Sequence, residues 1–169
     1  MAALTTARVT LQPLLRSHAD AMFLIVGDAT LYRYLDNPPH PSIDHTRDVY
    51  ARLESRRSPD GTQLWLNWIV APHGRPPIGY VQATIGAART AWIAYFVAVA
   101  EWGNGYATEA VLAMKAHLAA EYGVVRFLAT VEAGNAKSVA LLGRVGLRPA
   151  TEEEALGHDL AVGERLFVG

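Results

Sequence analysis

Residues 95–110, YFVAVAEWGNGYATEA, decide how this chain reads. An apolar, strand-like run over residues 91–100 leads into them. Glu101-Trp102-Gly103-Asn104-Gly105 forms a turn, and a helical pattern opens at Tyr106. The first backbone N–H groups of a helix have no internal acceptor, and the helix dipole adds partial positive charge there. Two glycines let a phosphate approach the backbone with no Cβ in the way. The stretch reads as a site for the phosphates of a nucleotide-like ligand; the alternative is a plain strand–turn–helix whose glycines only shape the turn. A Walker loop is excluded, because Gly105 is followed by Tyr106-Ala107 rather than by Lys and then Ser or Thr. The dinucleotide fingerprint fails at Thr108, where it needs a third Gly or Ala.

Downstream of the turn, Ala107, Val111, Met114 and Leu118 recur at helical spacing, so a helix is expected over residues 106–122, stopped by Gly123. A strongly apolar strand follows over residues 124–131. A helix separates it from the strand at 92–99, so the two should run parallel, as in a βαβ unit. Asn135 is placed to cap a helix over residues 136–145, ended by Gly146 and Pro149. The acidic tail closes with a strand at residues 165–168. Upstream, residues 63–70, 78–85 and 92–99 are strands joined by short turns, an antiparallel meander. A first strand is expected over residues 6–15, where Val9 and Leu11 alternate with polar positions. Ser17 and Ser42 read as N-caps. The first opens a short buried helix with Ala21, Phe23, Leu24 and Val26, up to Gly27. The second opens a helix with Thr46, Val49, Tyr50 and Leu53 on one face and a solvated charged face opposite.

At 169 residues the chain fits one domain over residues 1–169, with no repeat or linker. A net charge of −1 gives no general pull toward nucleic acid or an anionic membrane. With no cysteine there is no disulfide, thiolate metal site or cysteine nucleophile. The longest apolar run, residues 91–100, is half the roughly 20 residues of a membrane helix. No secretory signal pattern opens the chain, so a cytoplasmic protein is expected.

Trp102-Gly103-Asn104-Gly105-Tyr106-Ala107-Thr108-Glu109-Ala110 resembles the acyl-CoA pyrophosphate loop of the GNAT N-acetyltransferases. It is most similar to the branch of ribosomal-protein N-terminal acetyltransferases (Rim-type), which reads W-G-x-G-Y-A-T-E-A. Thr6-x-Arg8-x-x-Leu11-x-Pro13-Leu14 resembles the opening of the same branch. Asn135-x-x-Ser138-x-x-Leu141-Leu142-x-x-x-Gly146-Leu147 resembles its second cofactor motif. The resemblance spans most of the chain and is thin over residues 35–78 and beyond 149. It implies an α/β (α+β) fold: a mixed, mostly antiparallel sheet of six to seven strands with about four helices and a splayed parallel pair at the cofactor site.

The activity it implies is acetyl transfer from acetyl-CoA to an amine. The pantetheine arm is expected against Phe96, Val97 and Ala98, and the pyrophosphate on Trp102, Gly103, Asn104, Gly105, Tyr106 and Ala107. Asn135 would hold the pantetheine or order its loop. Ser138 stands at the family position for the acid that protonates the leaving thiolate; the alternative is a hydroxyl serving only its own helical turn. Leu142 occupies the place of the acidic Tyr of other branches, and Lys137 is either a phosphate contact or, the preferred reading, a solvated lysine. The strand Glu that many relatives use as a base is replaced by Trp92; Glu101, beside the phosphates, would be a poor base and is expected at the surface, and Asp36, His40, His45 and His73 have no motif behind them. An α-amine, with a pKa of ~7.7–8.0 against ~10.4 for lysine, needs the least help to lose its proton, so a chain without a clear base suits it. The acceptor is expected to be a peptide or small-molecule amine near residues 32–45, where Tyr32, Tyr34, Asp36 and His40 either contact it or belong to the core. The protein is expected to be a monomer or a homodimer, an exposed final strand permitting the latter. Two other readings remain: a non-catalytic acyl-CoA sensor, and a nucleotide-binding domain.

Overall fold

The computed structural model describes residues 1–35 and 37–169. Its strands are β1 (Leu4–Thr5), β2 (Val9–Pro13), β3 (Leu64–Pro72), β4 (Gly79–Ile85), β5 (Thr90–Val97), β6 (Arg126–Glu132), β7 (Arg148–Pro149) and β8 (Glu164–Val168). The helices are α1 (Ala19–Val26), α2 (Ile43–Leu53), α3 (Tyr106–Tyr122), α4 (Ala136–Arg144) and the short α5 (Glu152–Ala155). All eight strands join one sheet in the order β1-β2-β3-β4-β5-β6-β8-β7. Every neighbouring pair is antiparallel except β5–β6. The mixed sheet with one parallel pair is as expected. The strand number is eight rather than six or seven, because β1 and β7 are two-residue edge pieces with no hydrophobic period of their own.

Alternation along the strands builds two cores, one on each face. From β3, Leu66, Trp68 and Val70 pack with Val111, Met114 and Leu118 of α3 and Leu141 and Leu142 of α4. The intervening Ile69 packs on the other face with Met22 and Val26 of α1 and Tyr50 of α2. On β5, Ala91, Ile93 and Val97 join the α3–α4 side, whereas Phe96 joins the α1–α2 side. Burial of these side chains, at ~1.5–3 kcal/mol each, is what fixes the register, since a one-residue slip would exchange the two faces.

Helix α3 has the expected bounds because a left-handed glycine stands at each end, Gly105 at φ +80° and Gly123 at φ +63°. The Ser42 hydroxyl accepts from the His45 N–H (3.1 Å) and caps α2 as read. Ser17 does not cap α1. A 3₁₀ turn (Arg16–His18) precedes that helix, and the His18 Nδ1 accepts from the Leu15 N–H instead. Leu24 of α1 is 84% exposed, and Ala19, Met22, Ile25 and Val26 form the buried face. The final strand is not a free edge either: β8 lies between β6 and β7, with Arg148↔Val168 and Pro149↔Phe167 paired across it.

Candidate active site

The parallel pair gives the site its shape. Thr90, Ala91 and Trp92 pair with Arg126, Phe127 and Leu128 and nothing beyond them does, although β5 continues to Val97 and β6 to Glu132. The two strands therefore splay. Successive residues of a strand aim their N–H and C=O groups to opposite sides. Ala98 donates to the Ile78 carbonyl on the β4 side (2.8 Å), so the neighbouring Val97 presents its groups to the gap. One of these is taken: the Trp102 indole Nε1 donates to the Val97 carbonyl (2.8 Å). Of the three residues expected along a pantetheine arm, Val97 offers its N–H, Ala98 faces β4, and Phe96 pairs with Tyr80.

The glycine turn lies directly beyond. Gly103 and Gly105 both have positive φ (+82° and +80°), and a Cβ on Gly103 would meet nothing within 4 Å, so the turn is open on that side. The first helical bond of α3 runs from the Glu109 N–H to the Gly105 carbonyl (3.1 Å). Among the described residues, no protein acceptor takes the backbone N–H groups of residues 103–108. A run of free donors at a helix start is the donor set a diphosphate requires.

Charge around the turn is arranged so as not to oppose an anion. Glu101, expected at the surface, is bound to Arg75 with its side chain only 15% exposed. Glu109, in the first turn of α3, accepts from the Thr6 hydroxyl (2.6 Å), the Arg8 backbone N–H (2.8 Å) and the Arg8 Nε (2.6 Å). Arg8 also donates through Nη1 to the Asn104 carbonyl (2.9 Å) and lies over the Tyr106 ring. One arginine from just before β2 thus ties the turn to the helix and cancels its carboxylate. Burial favours the neutral form of Glu109, but the bonds from Thr6 and Arg8 outweigh it and hold the carboxyl below its ordinary value of 4.5. A lowered folded pKa contributes stability that is complete above the unfolded value and is lost as pH falls through the folded one. The melting-temperature gap between the wild type and Glu109→Gln should therefore be full above about pH 4.5 and close below it. A gap that is constant with pH would contradict the clamp.

Across the gap stands α4. Asn135 caps it as read, its Oδ1 accepting from the Ser138 N–H (3.2 Å). The cap uses the backbone of Ser138 and leaves its hydroxyl free; no hydrogen bond among the described residues involves that hydroxyl. The Tyr95 hydroxyl, from β5, donates to the Ser138 carbonyl (3.3 Å). Burial pushes the Tyr95 phenol above its ordinary range, while Ser138 and the charge of Arg144 pull it back in part. Tyr95 escaped the sequence reading because its partner is a backbone atom 43 residues away. Lys137 is exposed, and its Nζ lies 4.3 Å from the centre of the Trp102 ring, joining α4 to the turn. Leu142 is buried in the core.

The remaining base candidates lie elsewhere. Trp92 packs edge-on against His158 from the tail (5.3 Å between ring centres), an imidazole that no motif marked. His40 and His45 meet at 5.1 Å although they share no helix face, because the cap turn folds one onto the other. His40 also bonds Thr46 (3.0 Å), and burial together with the nearby His45 holds it below its usual pKa. His73 is occupied by the Thr10 hydroxyl of β2 and by the Thr6 carbonyl between β1 and β2. Asp36 lies outside the described residues. Among the described residues no cluster of three or more His, Cys, Asp or Glu forms a metal site, and no helix is long and apolar enough to cross a membrane.

Comparison with known proteins agrees with this fold. The family model described as an acetyltransferase (GNAT) domain matches residues 8–148, and the chain belongs to that family. No curated protein matches the sequence significantly. Solved structures share the fold at low identity. RimL, a ribosomal α-N-protein acetyltransferase in complex with coenzyme A, superposes with a TM-score of 0.81 at 19% identity, over 99% of this chain and 97% of that one. RimJ from Mycobacterium smegmatis, in complex with a CoA disulfide, gives 0.75 at 24% identity, over 95% and 81%. The spermidine N-acetyltransferase from Vibrio cholerae, in complex with CoA and spermine, gives 0.78 at 16% identity, over 97% and 96%.

Proposed function

We propose that this protein transfers an acetyl group from acetyl-CoA to a primary amine by direct attack in a ternary complex. The observation that carries the proposal is the run of free N–H groups over residues 103–108, opening onto the gap between β5 and β6. Those donors would hold the pyrophosphate, and the gap would take the pantetheine as an added strand. The Val97 N–H then faces the thioester oxygen and stabilises the negative charge that develops there. The neutral amine attacks the carbonyl carbon; a C–N bond forms and the C–S bond breaks. The Ser138 hydroxyl gives the leaving thiolate a proton, and the proton released by the amine restores the hydroxyl through water. Tyr95 holds the first turn of α4, and with it Ser138, against β5.

With Trp92 where relatives carry a base, the acceptor is an amine that is substantially neutral near pH 7, an α-amine before a lysine side chain. The same tryptophan is what favours a second reading, a cofactor sensor without chemistry. The experiment is thiol release from acetyl-CoA over a panel of peptides and small amines. Release with α-amines, faster than with lysine-type amines, is expected. Ser138→Ala should lower kcat about 100-fold while leaving acetyl-CoA affinity unchanged, because the Asn135 cap survives. Tight binding with no release from any amine would move the assignment to the sensor.

A further inference from the structure

The face of the sheet that carries α1 and α2 is not covered all the way across. Ile69, Tyr80 and Phe96 form one cross-strand row and lie under those helices. Further back along the strands, Trp92 and its parallel partner Leu128 lie under the tail, in one cluster with Leu160 and with Trp92 against His158. Between these two covered parts runs the row Asn67–Gln82–Ala94. Ala94 is exposed, although β5 is the fifth strand in a sheet of eight, and Thr130 of β6 is exposed as well. Each stands two residues past the last parallel pair, Trp92↔Leu128. The covering layer therefore leaves a slot that leads from solvent to the gap where β5 and β6 part.

The floor of this slot is polar. Alternation along the strands puts Gln82 and Asn67 on the same face as Ala94. The half-buried Gln82 side chain makes no hydrogen bond among the described residues. Asn67, 4% exposed, donates its Nδ2 to the Trp65 carbonyl (3.2 Å) and leaves its Oδ1 without a described donor. The described side-chain atoms that are sealed from solvent without a partner belong to Tyr50, Arg56 and His117, so the Asn67 Oδ1 is still touched by solvent. On β6 the same face continues to Glu132. The Cβ that Gly134 lacks would meet both the Glu132 Oε1 (3.6 Å) and the Tyr34 Cε1 (3.7 Å), so the segment carrying Tyr34 borders the slot at this carboxylate.

We propose that Gln82 and Asn67 determine acceptor specificity, and that the slot takes an α-amine followed by an amide, the start of a peptide or an amino-acid amide. A primary amide carries donor and acceptor in one plane, the complement of a peptide group. The acceptor lies extended over Ala94 with its nitrogen toward Val97. These two residues are about 10 Å apart along β5, the span of about three extended peptide residues. Glu132 gives the arriving ammonium a counter-charge, which any amine can use; only an amide-bearing acceptor also uses the floor. The inference rests on the acetyl-transfer reading for where the amine must arrive.

The test is a calorimetric titration of trialanine amide, alaninamide and n-propylamine into the protein saturated with CoA, repeated without CoA, for the wild type, Gln82→Met and Ala94→Leu. Both amides are expected to bind more tightly than propylamine. Trialanine amide ahead of alaninamide assigns the slot to a peptide, and the reverse order to a free amino-acid amide. Gln82→Met should weaken the amides about fivefold, one lost hydrogen bond, and leave propylamine unchanged. Ala94→Leu fills the slot and should weaken trialanine amide at least about tenfold, with CoA affinity and melting temperature unchanged because the position is exposed. Propylamine bound as tightly as the amides, a Gln82→Met loss shared by propylamine, or wild-type peptide affinity in Ala94→Leu would overturn the proposal. Failure of CoA itself to bind the wild type would instead sink the acetyl-transfer reading, and the titrations without CoA would still judge the slot.

Discussion

Replacing Gly79 with alanine is expected to cost the protein both stability and its cofactor site. Gly79 opens β4 opposite Val97, at the end of β5 that borders the gap. A Cβ there would overlap the Phe96 carbonyl oxygen and lie 2.8 Å from the Val97 Cα. Both are backbone atoms of a buried strand, so neither can rotate away as a side-chain tip would. Overpacking of a core typically costs ~1–3 kcal/mol and occasionally more, and a clash with backbone belongs at the upper end. For a chain of this length that corresponds to a fall in Tm of about 6–12 °C. The shift falls on Phe96 and Val97, so acetyl-CoA affinity should drop at least about tenfold, 1.4 kcal/mol, in whatever protein remains folded. A thermal melt with a calorimetric titration below the transition reads both quantities. Wild-type values for the two would show that β4 and β5 have more room here than the geometry allows.

The second large effect is expected from Arg8→Ala. Arg8 contributes two guanidinium bonds, to Glu109 and to the Asn104 carbonyl, and stacks on Tyr106. Without it, Glu109 is left as an unneutralised carboxylate in the first turn of α3, where the phosphates would bind, and the turn loses its anchor. Hydrogen bonds to charged groups are worth ~1.5–3 kcal/mol, so acetyl-CoA should bind about 10- to 100-fold more weakly. Adding Glu109→Gln to Arg8→Ala removes the repelling charge and should recover part of the loss. If the double variant binds no better than Arg8→Ala, repulsion is not the mechanism. If Arg8→Ala binds normally, the clamp has no bearing on the cofactor.

These residues show where sequence reading reaches and where it stops. Helix α3 could be bounded to the residue because Gly105 and Gly123 are local signals with one conformational cause. The parallel crossing of β5 and β6 followed from the intervening helix. The Asn135 and Ser42 caps were legible because a cap and its recipient are three residues apart. The clamp was not, although Thr6, Arg8 and Glu109 all lay in quoted motifs: about a hundred residues separate them, and only the packed sheet brings them together. Likewise, no spacing rule predicts that the Trp102 indole folds back onto the Val97 carbonyl, or that Lys137 settles on that indole. The misread α1 cap has a local cause: the 3₁₀ turn over Arg16–His18 shifts the N-cap position to His18, whose side chain makes no cap bond. The exposed last strand failed for a topological reason: the chain inserts β8 beside β6 and leaves β7 at the edge.

The account turns on the free N–H groups at residues 103–108 and the gap beside them. Calorimetric titration of the wild-type protein with acetyl-CoA tests that claim most directly. One-to-one binding with a Kd between about 1 µM and 1 mM, weakening as salt is raised, is the predicted result. A protein that is folded by its melt and shows no binding heat up to millimolar acetyl-CoA would contradict the account at its centre.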